Sequence, residues 1–139
     1  MALPTKLLLE IVTPDRSLVR EEVDEVQLPG VEGHLGVLPG HTPLLSTLAV
    51  GELWYRIGAE KHYLAIVAGF GEVLPESVTV LAQVAERAQD IDLGRAEAAR
   101  KRAEERLKKT VDIDIERARI ALLKSLIRSR VASRTRTKV

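Results

Sequence analysis

The sequence predicts a mixed fold, in which an N-terminal antiparallel β-sandwich is followed by an antiparallel hairpin of two helices. Short apolar runs separated by turn residues fill the N-terminal part, whereas an Ala-, Glu-, Lys- and Arg-rich composition begins near residue 92. Residues 1–91 contain 6 Lys or Arg against 13 Asp or Glu, and residues 92–139 contain 15 against 7. These differences divide the chain into a sandwich domain at 1–87 and a hairpin domain at 88–139.

The first strand is predicted at residues 6–12, where Leu7, Leu9 and Ile11 alternate with the positions between them. The turn residues of 13–15, Thr-Pro-Asp, end it. Short strands at such close spacing, with no helical pattern between them, are typical of a sandwich or a flattened barrel. Further strands are predicted at 18–23, 26–28, 35–38, 44–48, 51–57, 61–68, 70–74 and 78–82.

The first helix begins after Asp92, which has the side chain of an N-cap residue. Its apolar residues recur at helical spacing and are mostly alanines, so that a neighbouring helix can approach closely. A short connection at 108–111 allows an antiparallel second helix that begins near Asp112 or Asp114. The apolar face of the first helix consists of Ala96, Ala99, Ala103 and Leu107.

The second helix carries two apolar stripes, roughly 140° apart at 100° per residue. A helix packed only on the other member of a hairpin buries one stripe. The second stripe must therefore pack on the sandwich or contact a different partner, and both interpretations remain open. One stripe contains Ile115, Ala118, Leu122 and Leu126, and the other contains Ile120, Leu123, Ile127 and Val131.

The residues present argue against catalysis and against a metal site. The chain has no cysteine, which excludes a thiol nucleophile and a disulfide. Its three histidines, His34, His41 and His62, lack the spacing of metal ligands, and its glycines lack a phosphate-loop motif. No window approaches the roughly 18 to 20 apolar residues of a membrane span. We therefore expect a protein that is not an enzyme and that reaches a membrane only through a partner.

The C-terminal part is basic, with no acidic residue after Glu116. Cations near a helix C-terminus complement the helix dipole, but this run exceeds what capping requires. An acidic partner is therefore expected, either nucleic acid or an acidic protein surface. Only 3% of the residues are aromatic, which disfavours base stacking. The partner-binding candidates are Arg117, Arg119, Lys124, Arg128, Arg130 and Arg134.

A second group of polar residues lies around the predicted start of the first helix. Glu86 and Asp92 flank this start, Arg95 follows one turn later, and Arg128 belongs to the second helix. Guanidinium groups hold phosphate well, and carboxylates accept hydrogen bonds from hydroxyl or amino groups. The same residues also suit helix caps and salt bridges, so the pattern alone leaves both roles open.

Residues 33–44, GHLGVLPGHTPL, closely resemble the epsilon subunit of bacterial F-type ATP synthases. The similarity extends along nearly the whole chain, including 12–15, 69–73 and 78–82. The resemblance implies a non-catalytic central-stalk subunit that couples proton flow to ATP synthesis. It implies a sandwich bound to the gamma subunit and the c-ring, and a peripheral position on the cytoplasmic face of the cell membrane. It also implies a mobile hairpin, which in its extended form contacts the beta subunit and restrains ATP hydrolysis.

The resemblance further implies a regulatory site for ATP, with no required cofactor. Some members of this family bind ATP through an I/L-D-x-x-R-A motif, which residues 91–96, IDLGRA, match. Lys124 stands where those members have an arginine, so the charge is kept and the planar two-pronged contact is lost. The nucleotide-binding candidates are Glu86, Ile91, Asp92, Arg95, Ala96, Lys124 and Arg128.

Two alternatives of other classes also fit the residues. A small nucleic-acid-binding adaptor would use the basic second helix, and its affinity would fall steeply with salt. A stand-alone nucleotide sensor would use the polar group around Asp92 without joining a larger complex.

Overall fold

The computed structural model describes residues 3–108 and 115–136, which form a β-sandwich followed by two helices, as predicted. The helices are α1, Leu93–Lys108, preceded by a 3₁₀ turn at Ala88–Asp90, and α2, Ile115–Arg136. The predicted start of the second helix at Asp112 or Asp114 lies outside the described residues. The strands are β1 Leu7–Val12, β2 Ser17–Val23, β3 Glu25–Gly30, β4 Gly33–Val37, β5 Leu44–Leu48, β6 Gly51–Ile57, β7 Glu60–Val73 and β8 Ser77–Arg87.

The strands pair in the order β2-β1-β8-β7-β5-β3-β4, and β6 pairs with both β3 and β7. One pair departs from the antiparallel prediction, because β1 and β8 run parallel with Leu9 opposite Val78. A parallel pair requires a long connection, and nearly all of the sandwich lies between these two strands. The first half of β7 pairs with β6 and its second half with β5, so β7 belongs to both layers.

A bend divides β7 at Ala68 and Gly69, whose φ angles are +46° and +147°. A Cβ atom at residue 69 would lie 2.0 Å from the carbonyl oxygen of Leu81, so glycine is required for β7 to approach β8 here. Sequence reasoning placed separate strands at 61–68 and 70–74. The structure joins them, because pairing with β8 continues on both sides of the bend.

β8 continues past its predicted end at residue 82, because it pairs with β7 on both sides of the bend. Gly69 pairs with Ala82 and Val67 with Val84, so one residue on each strand is left out of the pairing. The alternation of side chains along β8 changes here, since Ala82 faces the core and Ala85, three residues later, also packs against it. As a result Val84 and Glu86 face the helices rather than the sandwich core.

All eight strands contribute side chains to one apolar core inside the sandwich. Burying each large aliphatic side chain contributes about 1.5–3 kcal/mol, which makes this core the main source of stability in the β-domain. Its largest fully buried side chains include Leu7, Leu9, Ile11, Leu28, Leu48, Leu53, Leu64 and Ile66.

The helices form the predicted antiparallel hairpin. Ala96, near the start of α1, packs in one cluster with Val131, near the end of α2. At the other end Leu107 of α1 lines a groove with Glu116 of α2. The Asp92 side chain caps α1, since its Oδ1 accepts a hydrogen bond from the Arg95 backbone N–H at 3.1 Å. Within the described residues neither helix is long and apolar enough to cross a bilayer.

Candidate functional site

An apolar contact docks the end of α2 on the sandwich. Ile127 is 7% exposed and Val131 is fully buried, and both belong to one apolar cluster with Ala65 of β7. Ile91 and Ala96, at the start of the hairpin, belong to the same cluster. The hairpin is therefore held in a folded position by a small second core, separate from the core of the sandwich.

A charged contact reinforces this docking near the C-terminal end of α2. The Arg134 guanidinium donates two hydrogen bonds to the Glu52 carboxylate of β6, at 3.1 and 3.2 Å. The Glu52 side chain is only 11% exposed, and the guanidinium also lies 5.1 Å from the ring centroid of Tyr63. Hydrogen bonding to Glu52 raises the pKa of Arg134 above its ordinary value. A two-pronged contact of this kind fixes the orientation of α2 as well as its position.

A cavity of about 420 Å³ lies between the sandwich and both helices, and we call it the first cavity. Glu86 and Arg128 meet on its wall: Arg128 Nη2 donates to Glu86 Oε2 at 3.1 Å, and Arg128 Nε lies 2.7 Å from Oε1. Lys124 lines the same cavity one turn earlier on α2. Three of the seven nucleotide-binding candidates are thus brought together.

The other four nucleotide-binding candidates surround the start of α1 and do not line the first cavity. Ile91 and Ala96 are buried in the second core, where they pack against α2. Asp92 is the helix cap, and Arg95 is exposed. In this conformation these residues position α1, which forms one wall of the cavity.

Sequence reasoning missed two arginines of the first cavity. Arg102 and Arg106 of α1 lie on its wall, beside the buried alanine face of that helix. Their spacing from Ala99 and Ala103 could have indicated this position, but neighbouring charged residues on α1 obscured it. With Lys124 and Arg128 they make the cavity strongly basic, whereas Val67 and Val84 give it an apolar region.

The basic residues of α2 divide into two groups. Arg117 and Arg119 are exposed, and Arg119 forms an ion pair with Glu116 at 3.3 Å. Lys124, Arg128, Arg130 and Arg134 instead line cavities against the sandwich. Their acidic partners in this conformation include Glu86 and Glu52, which belong to the acidic half of the same chain.

Both apolar stripes of α2 are present, but each stripe is buried in one part of the helix and exposed in another. Ile127 and Val131 are buried on the sandwich, whereas Ile120 and Leu123 of the same stripe are 46% and 43% exposed. In the other stripe Ala118 is buried, and the side chain of Ile115 lies outside the described residues. An exposed groove therefore remains on the hairpin, lined by Leu107, Ile120, Leu122, Leu123 and Leu126.

A second exposed apolar surface lies on the outer face of the sandwich. Phe70 of β7 is directly opposite Leu81 of β8, and the two side chains are 52% and 53% exposed. Leu45, on the neighbouring strand β5, is 69% exposed. We call these three residues the sandwich patch, and cross-strand apolar clusters of this kind commonly mark interfaces.

His34 and His62 each contact a neighbouring side chain of the sandwich. His34 Nδ1 lies 2.8 Å from Gln27 Nε2, and the His62 ring stacks on Tyr55 with the centroids 4.9 Å apart. Burial, and then the charge of Glu21, raises the pKa of Tyr55 to about 12. In the described part of the chain, no three His, Cys, Asp or Glu side chains form a group that could hold a metal ion.

Comparison with known families matches both halves of the chain. Residues 6–88 match "ATP synthase, Delta/Epsilon chain, beta-sandwich domain", and residues 89–133 match "ATP synthase, Delta/Epsilon chain, long alpha-helix domain". The ATP synthase epsilon chain of Syntrophobacter fumaroxidans is 52% identical over 94% of this chain and 98% of its own. That of Nitratidesulfovibrio vulgaris strain DP4 is 50% identical over 88% and 92%.

Solved structures agree with these matches. A chain of the Euglena gracilis mitochondrial ATP synthase superposes with a TM-score of 0.81 at 25% identity, over 91% of this chain and 81% of its own. A chain of the Tetrahymena thermophila mitochondrial ATP synthase central stalk shares the fold, with a TM-score of 0.56 at 13% identity over 98% of this chain and 100% of its own. The alternative of a nucleic-acid-binding adaptor is not supported. This chain belongs to the family of ATP synthase epsilon chains.

Proposed function

We propose that this chain, a non-catalytic subunit of the ATP synthase central stalk, joins the rotor through its sandwich and restrains ATP hydrolysis through its hairpin. Rotor attachment would belong to the sandwich domain at 1–87, and the restraint of hydrolysis to the hairpin domain at 88–139. The sandwich would bind the gamma subunit and the c-ring, and the chain would then lie peripherally on the cytoplasmic face of the membrane. The observation that carries the proposal is a hairpin docked on the sandwich by a small second core and a few ion pairs.

The sandwich patch is the surface that we assign to the gamma subunit. Phe70, Leu81 and Leu45 form an exposed apolar cluster across three strands, and burying it against a partner would stabilise the complex. Leu81→Asp should therefore abolish co-purification with gamma. Val31→Asp is the matched control, because Val31 is similarly exposed but lies in the turn between β3 and β4. Equal recovery of gamma with both variants would argue against this assignment.

The hairpin is the part that we assign to the restraint of hydrolysis. Arg128 and Arg134 cannot hold Glu86 and Glu52 while also contacting an acidic segment of the beta subunit. Undocking would free these arginines and expose Ile127 and Val131 beside the groove already present on α2. Removing residues 92–139 should raise ATP hydrolysis by the assembled enzyme and leave assembly intact. Unchanged hydrolysis would contradict the role of the hairpin.

The first cavity is the site that we assign to regulatory ATP. Arg102, Arg106, Lys124 and Arg128 suit a polyphosphate, and the apolar region at Val67 and Val84 suits the base. The cavity is assembled from β7, β8, α1 and α2, and therefore requires the docked hairpin. ATP would stabilise the folded hairpin by its preference for that state.

Calorimetric titration with ATP tests these contacts. A lost charge-assisted hydrogen bond costs about 1.5–3 kcal/mol, so Arg102→Ala and Arg128→Ala should each weaken binding roughly tenfold or more. Arg95→Ala should have a smaller effect, because Arg95 lies outside the cavity wall. Arg119→Ala is the control for loss of charge on α2. Equal affinity of the Arg102, Arg128 and Arg119 variants for ATP would rule out the first cavity as the ATP site.

A further inference from the structure

The strand β4 forms one edge of the sheet and lacks the charged residues and prolines that protect most edge strands. It pairs with β3 alone. Its residues 33–37, GHLGV, contain no Asp, Glu, Lys or Arg and no proline. Charges and prolines are devices by which natural edge strands avoid pairing with another chain. The edge of β4 is therefore open to a further strand.

The opposite edge of the sheet, β2, is protected in both respects that β4 is not. Arg20, Glu21 and Glu22 give it consecutive charged side chains. In addition, the Arg87 guanidinium of β8 donates a hydrogen bond to the Leu18 carbonyl oxygen of β2. Pairing with another chain is thus disfavoured at β2 and left available at β4.

The backbone of β4 offers unpaired hydrogen-bonding groups at this edge. The Pro29 carbonyl of β3 accepts a hydrogen bond from the Ala49 N–H, on the side of β3 that faces away from β4. Hydrogen-bonded and non-hydrogen-bonded pairs alternate in an antiparallel ladder, so His34, opposite Pro29, directs its N–H and C=O outward, and Gly36 does the same. Within the described ranges these outward groups have no protein partner.

The side chains of β4 match a second copy of the same strand that runs in the opposite direction. With Leu35 of both copies on a two-fold axis, His34 lies opposite Gly36 of the second copy, and Gly33 lies opposite Val37. Each larger side chain thus faces a glycine, and the space beside Gly36 is open, since a Cβ there would meet nothing within 4 Å.

The backbone groups and the apolar core agree with the same register. His34 and Gly36 become hydrogen-bonded pairs across the axis, so that all of their outward N–H and C=O groups are satisfied. Leu35 then forms a non-hydrogen-bonded pair with its own copy, the arrangement that brings side chains closest. Because Leu35 is half-buried against the sandwich core, this contact would extend the core across the axis.

We propose that the free chain forms a symmetric dimer in which β4 pairs antiparallel with β4 of a second copy, so that the two sandwiches share one continuous sheet. A strand without charged residues brings no like charges together at the axis, and two-fold symmetry is the commonest arrangement of homodimers. One short strand buries less than the roughly 800 Å² per partner of a standard interface, so the dimer is weak and forms at high concentration. This inference goes beyond the proposed function and does not rest on it.

Sedimentation equilibrium of the full chain, from micromolar to millimolar concentration, measures the association. We expect the mean mass to rise from that of one chain toward that of two. Amide hydrogen exchange followed by NMR over the same range locates the contact, because the His34 and Gly36 amides should become protected as the concentration rises. The Leu35 amide points toward β3 and should exchange slowly at every concentration.

Charges introduced at residue 36 test the register. Gly36→Lys and Gly36→Asp should both fold, because the space beside Gly36 is open, and each should weaken association several-fold. The two-fold axis places the two new like charges at diagonal positions about 7–8 Å apart. An equimolar mixture of the two variants should associate again, since opposite charges then meet. Gln83→Lys is the matched control, because Gln83 is exposed on β8, and it should associate as the wild type does.

Three results would overturn the proposal. The first is the mass of a single chain up to millimolar concentration. The second is association that Gly36→Lys leaves unchanged, and its loss in Leu123→Asp would then place the contact on the exposed groove of the hairpin. The third is a mixture of the Lys and Asp variants that associates as weakly as either variant alone, which would exclude antiparallel pairing about Leu35.

Discussion

Individual side chains connect the two halves of this molecule through a few well-defined contacts. Arg128 with Glu86 and Arg134 with Glu52 each join α2 to a strand of the sandwich. The basic residues of α2 predicted an acidic partner, but the sequence did not show that carboxylates of the same chain would be their partners. Which carboxylate meets which arginine depends on the change of side-chain alternation in β8, which turns Glu86 toward the helices.

Gly69 is the residue at which a small change should have the largest effect on the sandwich. Gly69→Ala places a Cβ 2.0 Å from the Leu81 carbonyl oxygen and 2.9 Å from Ala82 Cα, at a φ of +147°. We expect a loss of more than about 3 kcal/mol in the free energy of unfolding, measured by urea denaturation. Gly58→Ala, with nothing within 4 Å of the new Cβ, should cost only about 1–2 kcal/mol. Similar losses in both variants would refute the steric explanation.

Asp24 should make the sandwich sensitive to acid. The hydrogen bond from the Lys6 ammonium, and then the one from the Gly58 N–H, hold the pKa of Asp24 below its usual range. Because the folded-state pKa is the lower one, its stabilising effect is present above the unfolded pKa of about 3.9 and is lost as the pH falls through the folded value. Asp24→Asn should therefore be less stable than the wild type at pH 6.

The difference between the Asp24→Asn variant and the wild type should shrink as the pH is lowered below about 4, because the wild-type carboxyl then becomes neutral as well. Urea denaturation of both proteins at pH 6, 4 and 3 measures this convergence. A difference that stays constant across these values would mean that the ionisation of Asp24 does not contribute.

At the scale of whole elements, the sequence predicted which segments form strands and helices better than it predicted which of their surfaces are buried. The two stripes of α2 exist, yet the buried surface crosses from one to the other. The sandwich covers Ile127 and Val131 and leaves Ile120 and Leu123 exposed. A periodic sequence pattern predicts an apolar face along the whole helix. How much of that face is buried depends on which part of the helix contacts another element in the folded protein. The position of Arg102 and Arg106 beside the alanine face of α1 was the one signal in the sequence for their place on a cavity wall, and the other charged residues of α1 obscured it.

The close packing of α1 on α2 depends on small side chains. Ala103 is 2% exposed, so Ala103→Leu should force the helices apart and cost about 1–3 kcal/mol. Ala98→Leu is the matched control, because Ala98 is exposed on the same helix. Hydrogen exchange of the amides of both helices measures the effect. Equal protection in the two variants would indicate that the alanine face is not the packing surface.

At the scale of the whole molecule, the separation of charge should make the docking of the hairpin depend on salt. Residues 1–91 and 92–139 carry opposite net charge, and the pairs that join them are partly exposed. Raising the ionic strength from about 0.01 to 1 M shortens the screening length from about 30 to 3 Å. Hydrogen exchange of the amides of α2 should therefore become faster, while that of the buried strands should change little.

Exchange in α2 that does not become faster with salt would show that apolar packing holds the hairpin, because apolar burial does not weaken when salt screens charges. If the small second core alone held the hairpin, exchange in α2 would stay constant or become slower as salt increases. Glu52→Gln removes one of the docking charges and should reduce the salt dependence. An unchanged salt dependence in this variant would exclude the Glu52–Arg134 pair as its source.

Glu86 and Glu52 form ion pairs with the arginines that an acidic partner would need. A group tethered on the same chain competes at an effective concentration in the millimolar range for short flexible connections. Any external acidic surface must therefore compete with this internal ligand. The apparent affinity of the partner for α2 is its intrinsic affinity multiplied by the fraction of molecules in which the helix is undocked. The two glutamates therefore set the concentration of partner at which the hairpin responds.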